Sequence, residues 1–108
     1  MNDLFDDQVR PIYTVGQVAE LLDVQQAFLR RLDSQDIVRP ARSDGAQRRY
    51  SRQDIDLVIA VRGLIDEGLT LEGVRRVMAL QAEVASLRAE LAATKAKLHD
   101  QSASGRRR

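Results

Sequence analysis

The chain has 108 residues, with 17 Lys and Arg against 16 Asp and Glu, a formal net charge of +1, 44% hydrophobic residues and no cysteine. A chain this short has room for one small domain and an appendage, and buries only a modest core. The missing cysteines exclude disulfides, thiolate-ligated zinc, iron–sulfur centres and thiol redox sensing by this chain itself.

No apolar run approaches membrane-spanning length and the first residues are acidic, so the expectation is a cytoplasmic protein with no membrane association. His99 is the lone histidine and reads as an ordinary surface residue, so neither a metal nor a cofactor is expected. The balanced total hides an uneven distribution. Asp3, Asp6 and Asp7 precede Arg10, whereas Arg30 to Arg52 holds seven arginines against three aspartates.

Residues 1–12 read as a flexible acidic N-terminus. From Thr14, the run TVGQVAELLDV places Val15, Val18, Ala19 and Leu22 on a helical period, and Gln17 stands three residues after Thr14 as a capping box requires. This predicts a helix from about Val15 to Leu22. After Asp23 and Val24 a second helix follows in QQAFLRRLDSQ, with Phe28, Leu29 and Leu32 as its apolar stripe beside Arg30 and Arg31. Two short helices so closely spaced read as a helix-turn-helix unit.

Ile37 and Val38 are β-branched and precede Arg39-Pro40, where the chain is held extended. The stretch SDGAQRRY then predicts a reversal centred on Asp44-Gly45 and a two-stranded wing, with Arg48 and Tyr50 on one face of the returning strand and Gln47 and Arg49 on the other. An isolated hairpin is marginal in water, so Val38 and Tyr50 are expected to pin it to the helices.

Ser51 starts the next helix, with Asp54 three residues on and Ile55, Val58, Ile59, Arg62 and Ile65 at helical spacing until Glu67-Gly68. Thr70 caps a further helix. Beyond it Val77, Leu80, Val84, Leu87, Leu91, Thr94 and Leu98 alternate spacings of three and four, a heptad seam that asks for a partner surface. A homodimeric coiled coil is the expectation. Glu83 and Glu90 would pair across a parallel interface with Arg88 and Lys95, so the flanking charges favour parallel helices, although such terms are small.

The predicted architecture is mainly α: a winged helix-turn-helix over 13–79 with a small β-hairpin wing, a coiled-coil dimerisation helix over 80–98, and a flexible basic tail over 99–108 that ends SGRRR. Enzymatic chemistry finds little support. Asp54 and Asp56 read as first-turn helix charges, and neither SDGAQ nor DEGLT ends in the Lys-Ser/Thr of a phosphate-binding loop.

Double-stranded DNA accounts for more of the pattern. The second helix would present Gln25, Gln26, Arg30 and Arg31 to the major groove, and the wing would bring Arg42, Gln47, Arg48, Arg49 and Tyr50 to backbone or minor groove, with Thr14 at the start of the first helix beside them. Phe28 fits either the core or an exposed apolar contact. Two other readings remain: an architectural or recombination-accessory DNA-binding protein, and a coiled-coil protein-interaction module with a basic head.

The segments YTVGQVAELLDV at 13–24, FLRRLDSQDIVRPARSDGAQRRYS at 28–51 and DIDLVIAVRGLIDEGLTLEGVRRVMAL at 54–80 resemble, in order, the MerR family of bacterial transcriptional regulators. A short chain with a coil and no ligand domain is similar to that family's heat-shock repressor branch. The resemblance implies a homodimer at a promoter inverted repeat, nucleoid-associated, with antiparallel dimer helices, and in that branch a chaperone as co-repressor. It also implies that Arg30 and Arg48 contact DNA and that Tyr50 anchors the wing while its hydroxyl meets phosphate. Departures stand at Gln25, Phe28, Arg31 and Leu32 in the recognition helix, at Ala46 and Gln47 in the wing, and at Asp36, where the family commonly has glycine.

Overall fold

The computed structural model describes residues 7–106. The chain divides into two compact units, Met1–Val74 and Arg75–Arg108. Of the N-terminal segment, residues 1–6 lie outside the described residues. Residues 7–9 are helical where a flexible stretch was expected, and Arg10 lies 3.7 Å from Asp7.

In the first unit, β1 (Tyr13–Thr14) leads into α1 (Val15–Leu22), α2 (Gln26–Ser34), β2 (Ala41–Arg42), β3 (Arg48–Tyr50), α3 (Arg52–Asp66) and the first turn of α4 (Leu71–Arg106). Thr14 is extended and caps α1: its hydroxyl accepts from the Gln17 amide at 3.1 Å, and the Gln17 carboxamide accepts from the Thr14 amide at 2.9 Å. Two otherwise orphaned amides are satisfied in one local exchange. Ser51 and Asp54 repeat the device at the start of α3, at 3.0 and 2.9 Å.

Three helices end the same way. The residue after α1's last turn, Asp23, is left-handed at φ 54°, and Val24 donates to the Ala19 carbonyl at 3.0 Å. After α2, Asp36 is left-handed at φ 60° and Ile37 donates to Leu32 at 2.9 Å; after α3, Gly68 is at φ 103° and Leu69 donates to Leu64 at 3.1 Å. Each is a Schellman closure, which turns the chain sharply off the helix. Glycine is the residue without a steric cost in that conformation, and only one of the three closures uses it.

The expected two-stranded wing forms from β2 and β3, and β1 joins it to give a three-stranded antiparallel sheet in the order β1-β3-β2. Tyr13 pairs with Tyr50 and Thr14 with Arg49 on one side of β3, while Ala41 pairs with Arg49 and Arg42 with Arg48 on the other. The residues just before α1 thus make β3 a central strand. That third strand stiffens a hairpin that would be marginal alone.

Val18, Leu29, Leu32, Val38, Tyr50, Val58, Val61 and Val74 are essentially inaccessible and form the core, each of the larger side chains contributing about 1.5–3 kcal/mol by burial. Val38 and Tyr50 pin the wing as expected. On α3 the inward stripe is Ile55, Val58 and Val61, whereas Ile59, expected inside, is 51% exposed.

In the second unit, α4 continues without a break to Arg106, past the expected end at Leu98. Residues 99–104 contain neither proline nor glycine, so nothing local stops the helix where the seam stops. Arg107 and Arg108 of the expected basic tail lie outside the described residues. Along α4, Leu80, Val84, Leu87, Leu91 and Leu98 are between 44% and 66% exposed; among the described residues no helix is long and apolar enough to cross a membrane.

Candidate nucleic-acid interface

Helix α2 begins at an extended Gln25 that makes no side-chain capping bond, and the Phe28 amide donates instead to the Gln25 carbonyl at 3.0 Å. Gln25, Gln26 and Arg30 are exposed along this end. Gln26 accepts from Arg30 Nη2 at 3.2 Å, one turn apart, and its Nε2 would stand 3.6 Å from a Cβ placed on Gly16 of α1. The two side chains therefore form one polar unit at the α1–α2 junction.

The wing tip closes through a 2.8 Å bond from the Ala46 amide to the Ser43 carbonyl and another 2.8 Å bond from the Ser43 amide to the Gln47 carbonyl. Asp44 and Gly45 occupy the turn, as the sequence predicts. The left-handed position is Ala46, at φ 61°. A turn followed by one left-handed residue directs the strand back with added twist.

A concave surface of about 250 Å³ is lined by Thr14, Val15, Arg30, Arg42, Ala46, Gln47, Arg48 and Arg49. Six predicted contact residues thus meet at one cleft, drawn from β1, α2, β2 and the wing. Gln25 and Gln26 stand at the start of α2, outside the cleft lining. Arg31 goes elsewhere: it lines a separate groove with Phe28, Gln35, Ile65, Leu69, Thr70, Leu71 and Glu72, and Phe28 there is half-buried.

Two expectations change in detail. Tyr50 was expected to offer its hydroxyl to phosphate, but the residue is 0% exposed and that hydroxyl is buried, with no hydrogen-bond partner among the described residues. It anchors the wing and contacts nothing outside. Burial, above the opposing effects of its charged neighbours, pushes its pKa above the ordinary tyrosine value.

Arg48 is also less free than the sequence suggests. Its Nε lies 2.6 Å from Asp33 Oδ2, and Arg42 Nη2 lies 2.8 Å from the same oxygen. Asp33 did not enter the sequence reading as a functional residue. The signal that could have found it is position: it is an acid in the last turn of a helix, where the dipole disfavours negative charge, so it needs a cationic partner.

Among the described residues, no group of three or more metal-ligating side chains is gathered. The cleft instead offers guanidinium and amide donors, the complement of phosphate and base edges.

A family model described as MerR HTH family regulatory protein matches residues 13–81. A Streptomyces coelicolor protein carrying the heat-shock-protein name HspR is 39% identical over 83 residues, covering 76% of this chain and 55% of that protein. A Bacillus cereus protein named HTH-type transcriptional regulator GlnR is 26% identical over 76 residues, covering 70% of this chain and 59% of that one. The chain thus spans between a half and three-fifths of these relatives.

Among solved structures, the N-terminal part of MtaN, the Bacillus subtilis multidrug transporter activator, superposes with a TM-score of 0.59 at 23% identity, covering 82% of this chain and 90% of that one. HiNmlR, described as a MerR family regulator lacking the sensor domain and bound to promoter DNA, superposes with a TM-score of 0.56 at 18% identity, covering 80% of this chain and 77% of that one.

Proposed function

The chain belongs to the MerR HTH family of regulatory proteins, and on that premise we propose that it is a sequence-specific double-stranded DNA-binding regulator that acts as a homodimer on promoter inverted repeats, as a repressor. The observation that carries this reading is the cleft in which Arg30 of α2 and Arg42, Gln47, Arg48 and Arg49 of the wing converge. In this reading α2 enters the major groove, with Gln26 and Arg30 at base edges, while Arg42, Arg48 and Arg49 meet phosphates or a narrow minor groove.

Homodimer formation is supported by the exposed seam of α4. Leu80, Leu87, Leu91 and Leu98 are each more than half exposed, and a stripe of that length on a solvated helix is stabilised by a second copy. The proposed pairing is antiparallel, because an inverted repeat calls for two well-separated heads and the flanking charges that favour parallel helices contribute only tenths of a kcal/mol each. The protein acts in the cytoplasm at the nucleoid. Repression, and a chaperone as co-regulator, rest on the resemblance to the heat-shock branch and the 39% identity to HspR.

A genome-wide occupancy map with footprinting at the strongest site tests the proposal. A protected inverted repeat between promoter elements, with transcription rising when the gene is deleted, is the expected result. Diffuse, sequence-indifferent coverage would favour an architectural DNA protein, and no footprint with a tight protein partner would favour an interaction module; either outcome overturns the proposal.

A further inference from the structure

One carboxylate oxygen joins three elements of the first unit. Asp33, in the last turn of α2, receives Arg42 Nη2 from β2 at 2.8 Å and Arg48 Nε from β3 at 2.6 Å, both on Oδ2. The Asp33 side chain is only 12% exposed and that of Arg48 25%, so this pair is sheltered from the mobile ions that weaken exposed pairs, whereas Arg42 is 47% exposed.

The geometry leaves donors to spare. A guanidinium has five N–H donors in a fixed fork, so holding Arg48 through Nε leaves both Nη groups for another acceptor. Arg42 and Arg48 both line the cleft shared with Arg30 and Gln47. Asp33 therefore orients these arginines while leaving them able to reach a phosphate, and sets the wing against the helix that carries Arg30.

We propose that Asp33 is a positioning residue for DNA recognition: by holding Arg42 and Arg48 it fixes the wing guanidinium groups relative to the recognition helix, and so determines the preference for one DNA sequence over others more than the overall affinity. This rests on the reading of the cleft as DNA-facing. Orientation is what a rigid two-part reader needs, since phosphate contacts set the register in which base contacts are made. Arg42 and Arg48 released from Asp33 still carry their positive charge, but their guanidinium groups take many orientations.

The test uses the full chain, a duplex enriched by the wild-type protein from a random-sequence library, and a scrambled duplex of the same composition. Asp33→Asn is expected to bind the scrambled duplex severalfold more tightly, because a negative charge is gone, while the ratio of selected to scrambled affinity falls about tenfold. Asp36→Asn removes an exposed carboxylate paired, among the described residues, with exposed Arg39 at 3.4 Å, and should leave that ratio unchanged. Asp33→Glu should restore most of it.

Arg48→Lys keeps the charge and loses the fork; it should lower the ratio as Asp33→Asn does, and the double variant should lose no more than the worse single one. Thermal melts of each variant confirm a folded chain, and the Arg48→Lys arm stands even if Asp33→Asn does not fold. An unchanged ratio in both single variants, or additive losses in the double, would overturn the proposal. If the wild-type protein enriches no sequence at all, it is the DNA-regulator reading that fails.

Discussion

At the wing tip Ala46, at φ 61°, holds the left-handed conformation, while Gly45 immediately before it does not. The two residues thus stand in the reverse of the order their side chains would favour. A left-handed L-residue costs roughly 1–2 kcal/mol, and Asp tolerates that region better than Ala. Ala46→Gly is therefore expected to stabilise the chain by about 1 kcal/mol. Gly45→Ala, whose added Cβ would meet nothing within 4 Å, should stabilise by about 0.4–1 kcal/mol through a less flexible unfolded chain. Urea denaturation of each variant and of the exchanged pair checks both signs; a destabilised Gly45→Ala would contradict the turn geometry.

The Tyr50 hydroxyl is buried without a hydrogen-bond partner among the described residues. An unsatisfied buried polar group costs about 1–3 kcal/mol, so Tyr50→Phe should be neutral or stabilising by up to about that amount at pH 7. Tyr50→Ala removes the ring itself and should cost about 3–5 kcal/mol, as large-to-small core changes do. The pair of variants separates ring from hydroxyl in a denaturant titration.

The same residue predicts an alkaline effect. Burial raises its pKa in the folded chain above 10.0, so above that value the unfolded state loses this proton first and binds fewer protons than the folded one. Stability then falls as pH rises through and beyond about pH 10, and the full contribution is present below it. Melting temperatures from pH 7 to 11 should show a steeper alkaline decline for the wild type than for Tyr50→Phe, and parallel curves would refute the assignment.

The local devices were legible in the sequence and the long-range ones were not. Thr14 with Gln17 and Ser51 with Asp54 announce helix starts because both partners lie within one turn. The apolar periods and the Asp44-Gly45 reversal are local for the same reason. By contrast, Tyr13 pairs with Tyr50, and Asp33 with Arg42 and Arg48, across chain separations that no periodicity encodes. Tyr50 illustrates the limit well: its anchoring role followed from its place on the returning strand, but the fate of its hydroxyl depended on packing of β3 against α1 and α3. The convergence of Thr14, Arg30 and the wing arginines at one cleft likewise depended on β1 joining the sheet.

Gln26 and Arg49 should separate sequence reading from general attraction. Gln26→Ala is expected to change which base pair is preferred at one or two positions, worth about 1–3 kcal/mol of discrimination. Arg49→Ala should weaken selected and scrambled duplexes alike and lower the salt dependence of binding by about one counterion equivalent. Fluorescence anisotropy across a salt series distinguishes these outcomes.

The α4 seam makes a separable prediction. Leu87 and Leu91 are 55% and 54% exposed, so Leu87→Glu or Leu91→Glu should disrupt the proposed homodimer in sedimentation equilibrium without unfolding the first unit. Orientation is open to single-cysteine crosslinking, since the chain has no cysteine of its own. A parallel in-register pair would bring both Leu80→Cys and Leu98→Cys onto their counterparts; an antiparallel pair can do so for at most one. Disulfide formation in both variants would rule out the antiparallel arrangement.

Arg62 of α3 donates to the Leu22 carbonyl at the end of α1, and α1 has no basic residue in its own last turn. The end of α1, already turned by its Schellman closure, thus receives a further bond from a residue that follows the wing in the chain. A peptide or graft ending at Tyr50 would carry Gln26, Arg30 and the wing arginines yet lack this bond to the end of α1. On the proposed reading, transplanting the specificity into another protein means moving α3 along with it.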